Sequence, residues 1–373
     1  MSQTTITTDN IMTVDAANIT GSALPALNGA ALTNVPGVTN GAGDPLVTTN
    51  PSAVGAAWLN TTTGNLFCCT DATANANVWT NVGSGSGNIQ QARTIAGYGS
   101  GGHANQPGAN TSIINRYTFG SNNNATTHGD LTSARQVSES GTSSTTHGYV
   151  AGGSPNTTAI DKFAFASNVT ATSHGVLNRS GHSLIGTYSS TDSFAAGGSG
   201  PSDTVINKFA FATNTTASSH GNLSRSTTYA AGHSSSTHGF ISGGAPQTNI
   251  IDKFAFSSNT TSADHGDLES AFNQVAGTMS STDGYTSGGT SPMVNNIQKF
   301  AFTSNTTASD HGNLTRNIRL SCGQSSTTHG YNTGGGEPPR TNVIEKFTFG
   351  SASNATDHGD LTLVVSYQAG HEQ

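Results

Sequence analysis

Ile160-Asp161-Lys162-Phe163-Ala164-Phe165, followed nine residues later by His174-Gly175-Val176-Leu177, is the stretch on which the fold turns. Its first half alternates with period two. Phe163 and Phe165 therefore share one face of a strand, and Ile160, Lys162 and Ala164 the other. The pattern Ile-x-Arg/Lys-aromatic-x-Phe occurs six times, with its basic residue at Arg116, Lys162, Lys208, Lys253, Lys299 and Lys346. The intervals are 46, 46, 45, 46 and 47 residues. Each copy is followed by His-Gly, at His128, His174, His220, His265, His311 and His358, with the same intervals. Five of these continue Asp/Asn-Leu, and a Gly-Gly pair such as Gly152-Gly153 precedes most copies. Two residue series locked at one spacing mark a structural repeat.

Each unit divides into four short β-prone stretches separated by Ser/Thr/Asn/Gly-rich turns. In the second unit these are residues 135–142, 147–152, 159–165 and 171–177. Nothing shows a helical period over useful length. Four strands in about 46 residues is the size of one propeller blade. The first copy lacks a first strand, and the segment 362–370 after the last His-Gly-Asp-Leu matches one. The chain is predicted to be all-β. It comprises a six-bladed β-propeller over 91–373, closed by the C-terminal strand, a small N-terminal β module and an extended attachment segment. Closure of that kind removes free sheet edges.

Composition narrows the function. The 373 residues carry 13 Lys+Arg against 20 Asp+Glu, a net charge of −7. So few cations make a poor nucleic-acid binder. No apolar run approaches the ~18 residues of a membrane span, and no secretory signal is visible. Three cysteines build no disulfide framework. Low charge also argues against disorder.

Lys-Phe-Ala-Phe, Asn-x-Thr, His-Gly-Asp-Leu, Ser-Ser-Thr-His-Gly-Tyr and Gly-Gly, in that order, resemble the kelch-like propeller repeats of virion proteins from tailed bacteriophages, marine phages especially. The resemblance covers about three quarters of the chain. It departs from standard kelch in lacking a blade Trp, since Trp58 and Trp79 both precede the repeats. Residues 1–44 resemble the leading segment of phage tail-fibre proteins and read as a virion-attachment or oligomerisation segment. Residues 45–83 read as a small module of three strands bearing both Trp, and 84–90 as a flexible linker. The resemblance implies a tail or surface fibre located on the virion. Its residues 1–83 meet other virion proteins, its propeller binds a host-surface glycan or protein, and its assembly is a homotrimer. Two other readings stay open: an architectural capsid-decoration or baseplate protein, and a glycan-degrading enzyme.

The residues themselves favour binding over catalysis. No sialidase-type Asp box, nucleophile elbow in a strand-to-helix turn, or recurring carboxylate pair is present. No catalytic residue, metal ligand or cofactor is expected, nor membrane insertion. The six repeat histidines lie one blade apart, whereas zinc needs three or four ligands converging on one point. They read as imidazoles bonding backbone at a turn, with the next Gly supplying an unusual dihedral. A second position accepts His147, His238 and His329 or Asp192 and Asp283, as a turn acceptor would. The five lysines read as stems packed between blades with the ammonium reaching a turn carboxylate. In the vicinal pair Cys68-Cys69 one thiol is expected to be buried and one exposed; Cys322 reads as a core filler. The stretch after Gly-Gly differs in every unit. It joins the second and third strands, so all copies fall on one face, where variable loops on a rigid scaffold place binding. His103, Asn105, Gln106, Glu337 and Arg340 are the candidate ligand contacts.

Overall fold

A computed structural model describes residues 39–63, 65–81, 93–105, 108–138, 140–199, 203–336 and 339–373. The described structure is all-β, without helix. The chain divides into two compact units at residues 85/86.

In the first unit, Thr39–Gly41, Ala57–Asn60, Leu66–Asp71 and Val78–Asn81 form one sheet in that order. The sequence predicts three strands here. The fourth, Thr39–Gly41, lies inside the segment assigned to attachment and pairs parallel to Ala57–Asn60. It carries no apolar alternation to betray it. Gly41 holds its place because the Trp58 ring lies where a Cβ would stand, 2.5 Å away. Trp58 and Trp79 meet edge to face at 6.4 Å. Cys69 is buried and Cys68 half-buried, and neither is in a disulfide. The rest of the predicted attachment segment and the predicted linker lie outside the described residues.

The second unit is propeller-like and contains six four-stranded antiparallel sheets. Five are consecutive in the chain, with innermost strands Gly141–Ser143, Ile185–Tyr188, Ala231–Ser234, Ala276–Met279 and Cys322–Ser325. The sixth joins Ala369–Glu372 to Ala96–Ser100, Ile113–Thr118 and Thr126–Asp130. Its register pairs Ala369 with Ser100 and Glu372 with Gly97. First strands are shorter than the sequence suggests. In the second repeat the strand starts at Gly141 rather than 135, because Ser138 turns left-handed at φ 52°. The C-terminal stretch is likewise split by Tyr367 at φ 61°. Val365–Ser366 pairs with His103–Ala104, and only Ala369–Glu372 enters the sheet.

The core lies between sheets. Phe163 and Phe165 pack with Tyr98, Ile114 and Ala369 of the preceding sheet. Ile160, on the opposite face of the same strand, packs with Leu184, Phe209 and Phe211 of the following one. Six such clusters separate six sheets, the last formed by Tyr331 and Ile344 against Tyr117 and Ala125. Along the middle of the unit each innermost strand contributes one glycine: Gly141, Gly186, Gly232, Gly277, Gly323 and Gly370. A Cβ on any of them would stand 1.9–2.5 Å from the carbonyl oxygen of a neighbouring member, Gly141 meeting Gly370.

Candidate binding face and axis

The repeat residues set the frame on which any site is mounted. Each repeat histidine reaches the third strand of the next sheet. His128 Nε2 donates to Ala164 O at 2.8 Å and His174 to Ala210 O at 2.9 Å. His220, His265 and His311 repeat the contact at 2.8–2.9 Å, and His358 makes it to Thr118 O at 2.9 Å. Each sits within the fourth strand rather than at a turn, at a register shift opposite the third strand. A bulge re-aims a side chain in this way. The sequence anticipates backbone bonding but not that the bond crosses between sheets. Burial holds the imidazoles of His174, His265 and His358 below the ordinary histidine pKa.

An aromatic series completes the frame, and sequence reading passed it over. Tyr98, Tyr149, Phe194, Phe240, Tyr285 and Tyr331 each stack on a phenylalanine of the next sheet at 4.6–4.7 Å. Each also meets its own sheet's histidine edge to face at 4.8–5.1 Å. In five of the six, the fixed spacing two residues after the His/Asp position was the available signal. The lysines face these rings: Lys162, Lys208, Lys253 and Lys299 hold Nζ 5.6–5.9 Å from the ring centroids. Lys208 and Lys299 also meet Asp192 and Asp283 at 3.3 and 3.4 Å. Lys346 Nζ instead donates to Asn122 Oδ1 at 2.9 Å. Among the described residues a carboxylate partner is thus present where Asp replaces His and none is placed at Lys162 and Lys253, which keep the aromatic contact that all four share. His147, His238 and His329 each pair Nδ1 with the preceding Thr hydroxyl at 2.8 Å, and Asp192 and Asp283 accept the same bond. Cys322 is buried beside Thr333. Among the described residues no group of three or more His, Cys, Asp or Glu is placed to hold a metal.

The predicted loop contacts fall as follows. His103 is half-buried, with Nδ1 3.0 Å from Asn110 Oδ1, and pairs through its backbone with Ser366. Arg340 Nε donates to Ser366 Oγ at 2.9 Å. Ser366 therefore brings together His103 and Arg340, which are far apart in sequence. Asn105 is exposed, its N–H held by Val364 O at 2.9 Å. Gln106 and Glu337 lie outside the described residues. The loops are tied to the connections between sheets: Gln136 bridges to Ser154, His182 to Ser199, Thr228 to Ala245 and Asn273 to Thr290.

Immediately inside that tier is a ring that sequence reading did not single out. Ser138, Ser183, Tyr229, Gln274, Leu320 and Tyr367 all have φ between 52° and 61°. Each lies three residues before one of the axial glycines, which was the signal for finding them. Gln274 N donates to Tyr229 O, Leu320 N to Gln274 O, Tyr367 N to Leu320 O and Ser138 N to Tyr367 O. Tyr229, Gln274, Leu320, Tyr367 and Ser138 line a shallow depression.

The opposite end of the axis carries buried charge beside a cavity of ≈ 30 Å³ lined by the axial glycines, Tyr188, Met279, Ser325 and Glu372. Glu372 is buried, with Oε1 3.5 Å from Arg93 Nη1, and accepts the Tyr188 hydroxyl. Burial raises the Glu372 carboxyl above the usual range, opposed by Arg93, and drives the Tyr188 phenol well up. Arg93, the first described residue of the unit, thereby meets Glu372, the last but one.

Compared with known proteins, the chain matches no family model, and no curated protein matches it.

Proposed function

We propose that residues 93–373 form a closed six-bladed β-propeller, and that the protein is a virion fibre component of a tailed phage. Its loop face attaches to a host-surface glycan or protein, and the unit at 39–81 with the residues before it contacts other virion proteins in a homotrimer. The observation that carries the reading is a division of labour among repeat positions. The histidine-to-carbonyl bonds and aromatic stacks between sheets are reproduced six times within 0.1 Å. The loops after Gly-Gly differ in every unit, and the ring inside them carries four different residues over its six positions. A scaffold this uniform under a face this varied is suited to recognition. The cyclic approach of the axial glycines, ending with Gly141 against Gly370, supports closure.

Attachment is a binding role rather than a catalytic one. The carboxylates set into the third strands are taken up by arginines on the connections that lead into their sheets: Asp161 by Arg135 at 3.0 Å, Asp252 by Arg225 at 2.9 Å and Glu345 by Arg316 at 3.5 Å. The test is adsorption of the labelled full chain to a panel of bacterial hosts. Saturable adsorption to at least one host, reduced at least tenfold in Arg340→Ala with Asn105→Ala, is expected. Adsorption to none of them would favour the architectural reading.

A further inference from the structure

We propose that the loop-face end of the axis is a saccharide subsite, formed by Tyr229 and Tyr367 with Gln274, Arg319 and Ser138 beside them, which takes one terminal pyranose ring. The inference rests on the glycan-binding reading above and moves its centre from the loops to the axis.

The backbone supplies the first argument. A left-handed conformation costs an ordinary L-residue about 1–2 kcal/mol, and glycine adopts it freely. The chain has 46 glycines and places one three residues further on in every repeat. Yet none of the six left-handed positions is glycine, and two are tyrosine. Side chains are kept where their absence would relieve strain, and strain held in a structure points towards function.

Symmetry supplies the second. The backbone of the ring repeats six times, whereas its side chains run Ser, Ser, Tyr, Gln, Leu, Tyr. The six repeat histidines, by contrast, do not vary. An asymmetric ligand sitting on a pseudo-symmetric axis needs such divergence to be held in one orientation. Tyr229 and Tyr367 come from repeats three apart and meet with centroids 6.4 Å apart at 60°.

Chemistry supplies the third. Tyrosine presents an apolar face with a polar tip, which matches the C–H face and hydroxyl edge of a sugar. Arg319 Nη1 donates to Gln274 Oε1 at 3.0 Å. That bond fixes the amide with its NH2 group as the free donor for a sugar hydroxyl. Ser138 lines the same depression. The depression itself holds ≈ 10 Å³, room for about one water, so the sugar lies across the faces of Tyr229 and Tyr367 at its mouth rather than inside it.

The experiment is saturation-transfer difference NMR on the full chain with free glucose, galactose, mannose, N-acetylglucosamine and glucuronic acid. Tyr229→Ser and Tyr367→Ser each install the residue that two other repeats already carry at this position. Gln274→Ala is a further variant should either fail to fold, and Gly120→Ala is the neutral control. Saturation of at least one sugar by the unmodified chain and the control is expected, weakened at least tenfold by either Tyr→Ser change and severalfold by Gln274→Ala. Sugar binding unaffected by these changes, or no saturation of any sugar, would overturn the subsite. Cell adsorption of the same proteins separates the two proposals. Adsorption indifferent to Tyr229 and Tyr367, with no sugar saturation, removes the subsite and leaves attachment by the loops. Tyrosine-dependent saturation by a chain that adsorbs to no host supports the subsite and removes the attachment reading.

Discussion

Gly175 shows at one residue how the repeat is locked. Its φ is 107°, and a Cβ there would stand 2.4 Å from Thr215 O in the next sheet. Its neighbour His174 makes the inter-sheet bond, so the glycine lets two backbones approach close enough for the imidazole to reach. Gly175→Ala is expected to destabilise the second unit by about 2–4 kcal/mol, through strain and a forced opening between sheets. Gly120→Ala, where a Cβ meets nothing within 4 Å, is expected to stay within about 0.5 kcal/mol. Urea midpoints measured on the two variants check this. Two other histidines carry a pH dependence. His233 Nδ1 donates to Thr278 O and its Nε2 faces Ser242 Oγ; His371 does the same with Thr142 O and Ser100 Oγ. Burial pushes both pKa values down to about 4. The unfolded chain, near 6.5, therefore takes up protons first on acidification. Their contribution is fully present above about pH 6.5 and is lost as pH falls towards 4, by up to about 1.4 kcal/mol per pH unit for each group. Thermal unfolding across pH 7 to 4.5 should show this fall, and a His233→Gln, His371→Gln double variant should show a flatter profile.

Among the elements, Ala369–Glu372 matters most to the proposed closure. It is the innermost strand of a sheet whose other three strands come from residues 96–130. It also supplies Glu372 to Arg93 and Tyr188. A chain ending at residue 368 would leave the Ala96–Ser100 edge unpaired and remove Gly370 from the axial ring. Its thermal transition should broaden and fall by more than 10 °C, with aggregation through the exposed edge; an unchanged transition would contradict closure through this strand. The strands themselves were legible in the sequence, because alternation at Ile160–Phe165 and its copies leaves little freedom in period or face. The sheet in which the chain ends meet was legible from the missing first strand. What was not legible depended on geometry between sheets. The His-Gly pairs read as turns because bulged strands and turns share the same glycine chemistry. The left-handed ring was hidden because Tyr, Gln and Leu carry no signature of positive φ. Thr39–Gly41 was missed because Thr, Asn and Gly signal nothing without the Trp58 ring that lies against Gly41.

Over the whole second unit, a three-fold pattern of side chains is laid on the six-fold backbone. Sheets beginning their second strand with His147, His238 or His329 carry an acid in the third strand, Asp161, Asp252 or Glu345, and end their innermost strand in Ser143, Ser234 or Ser325. The other three carry Asn115, Asn207 or Gln298 and end in Glu372, Tyr188 or Met279. At the axis the consequence is steric. Large and small side chains alternate, and Ser234, Ser325 and Ser143 accept the N–H groups of Tyr188, Met279 and Glu372. One end of the axis is thus narrowed to a cavity of ≈ 30 Å³ and hydrogen-bonded, with Arg93 and Glu372 buried in it, while the other presents the varied ring and loops. On this account the two ends differ in kind, and recognition belongs to the second. Hydrogen exchange of the full chain, with and without surface polysaccharide from an adsorbing host, tests that most directly. The account predicts new protection confined to residues 103–105, 136–138, 228–230, 273–275, 319–321, 339–341 and 364–368. Protection instead at 39–81, or around Tyr188, Met279 and Glu372, would contradict it.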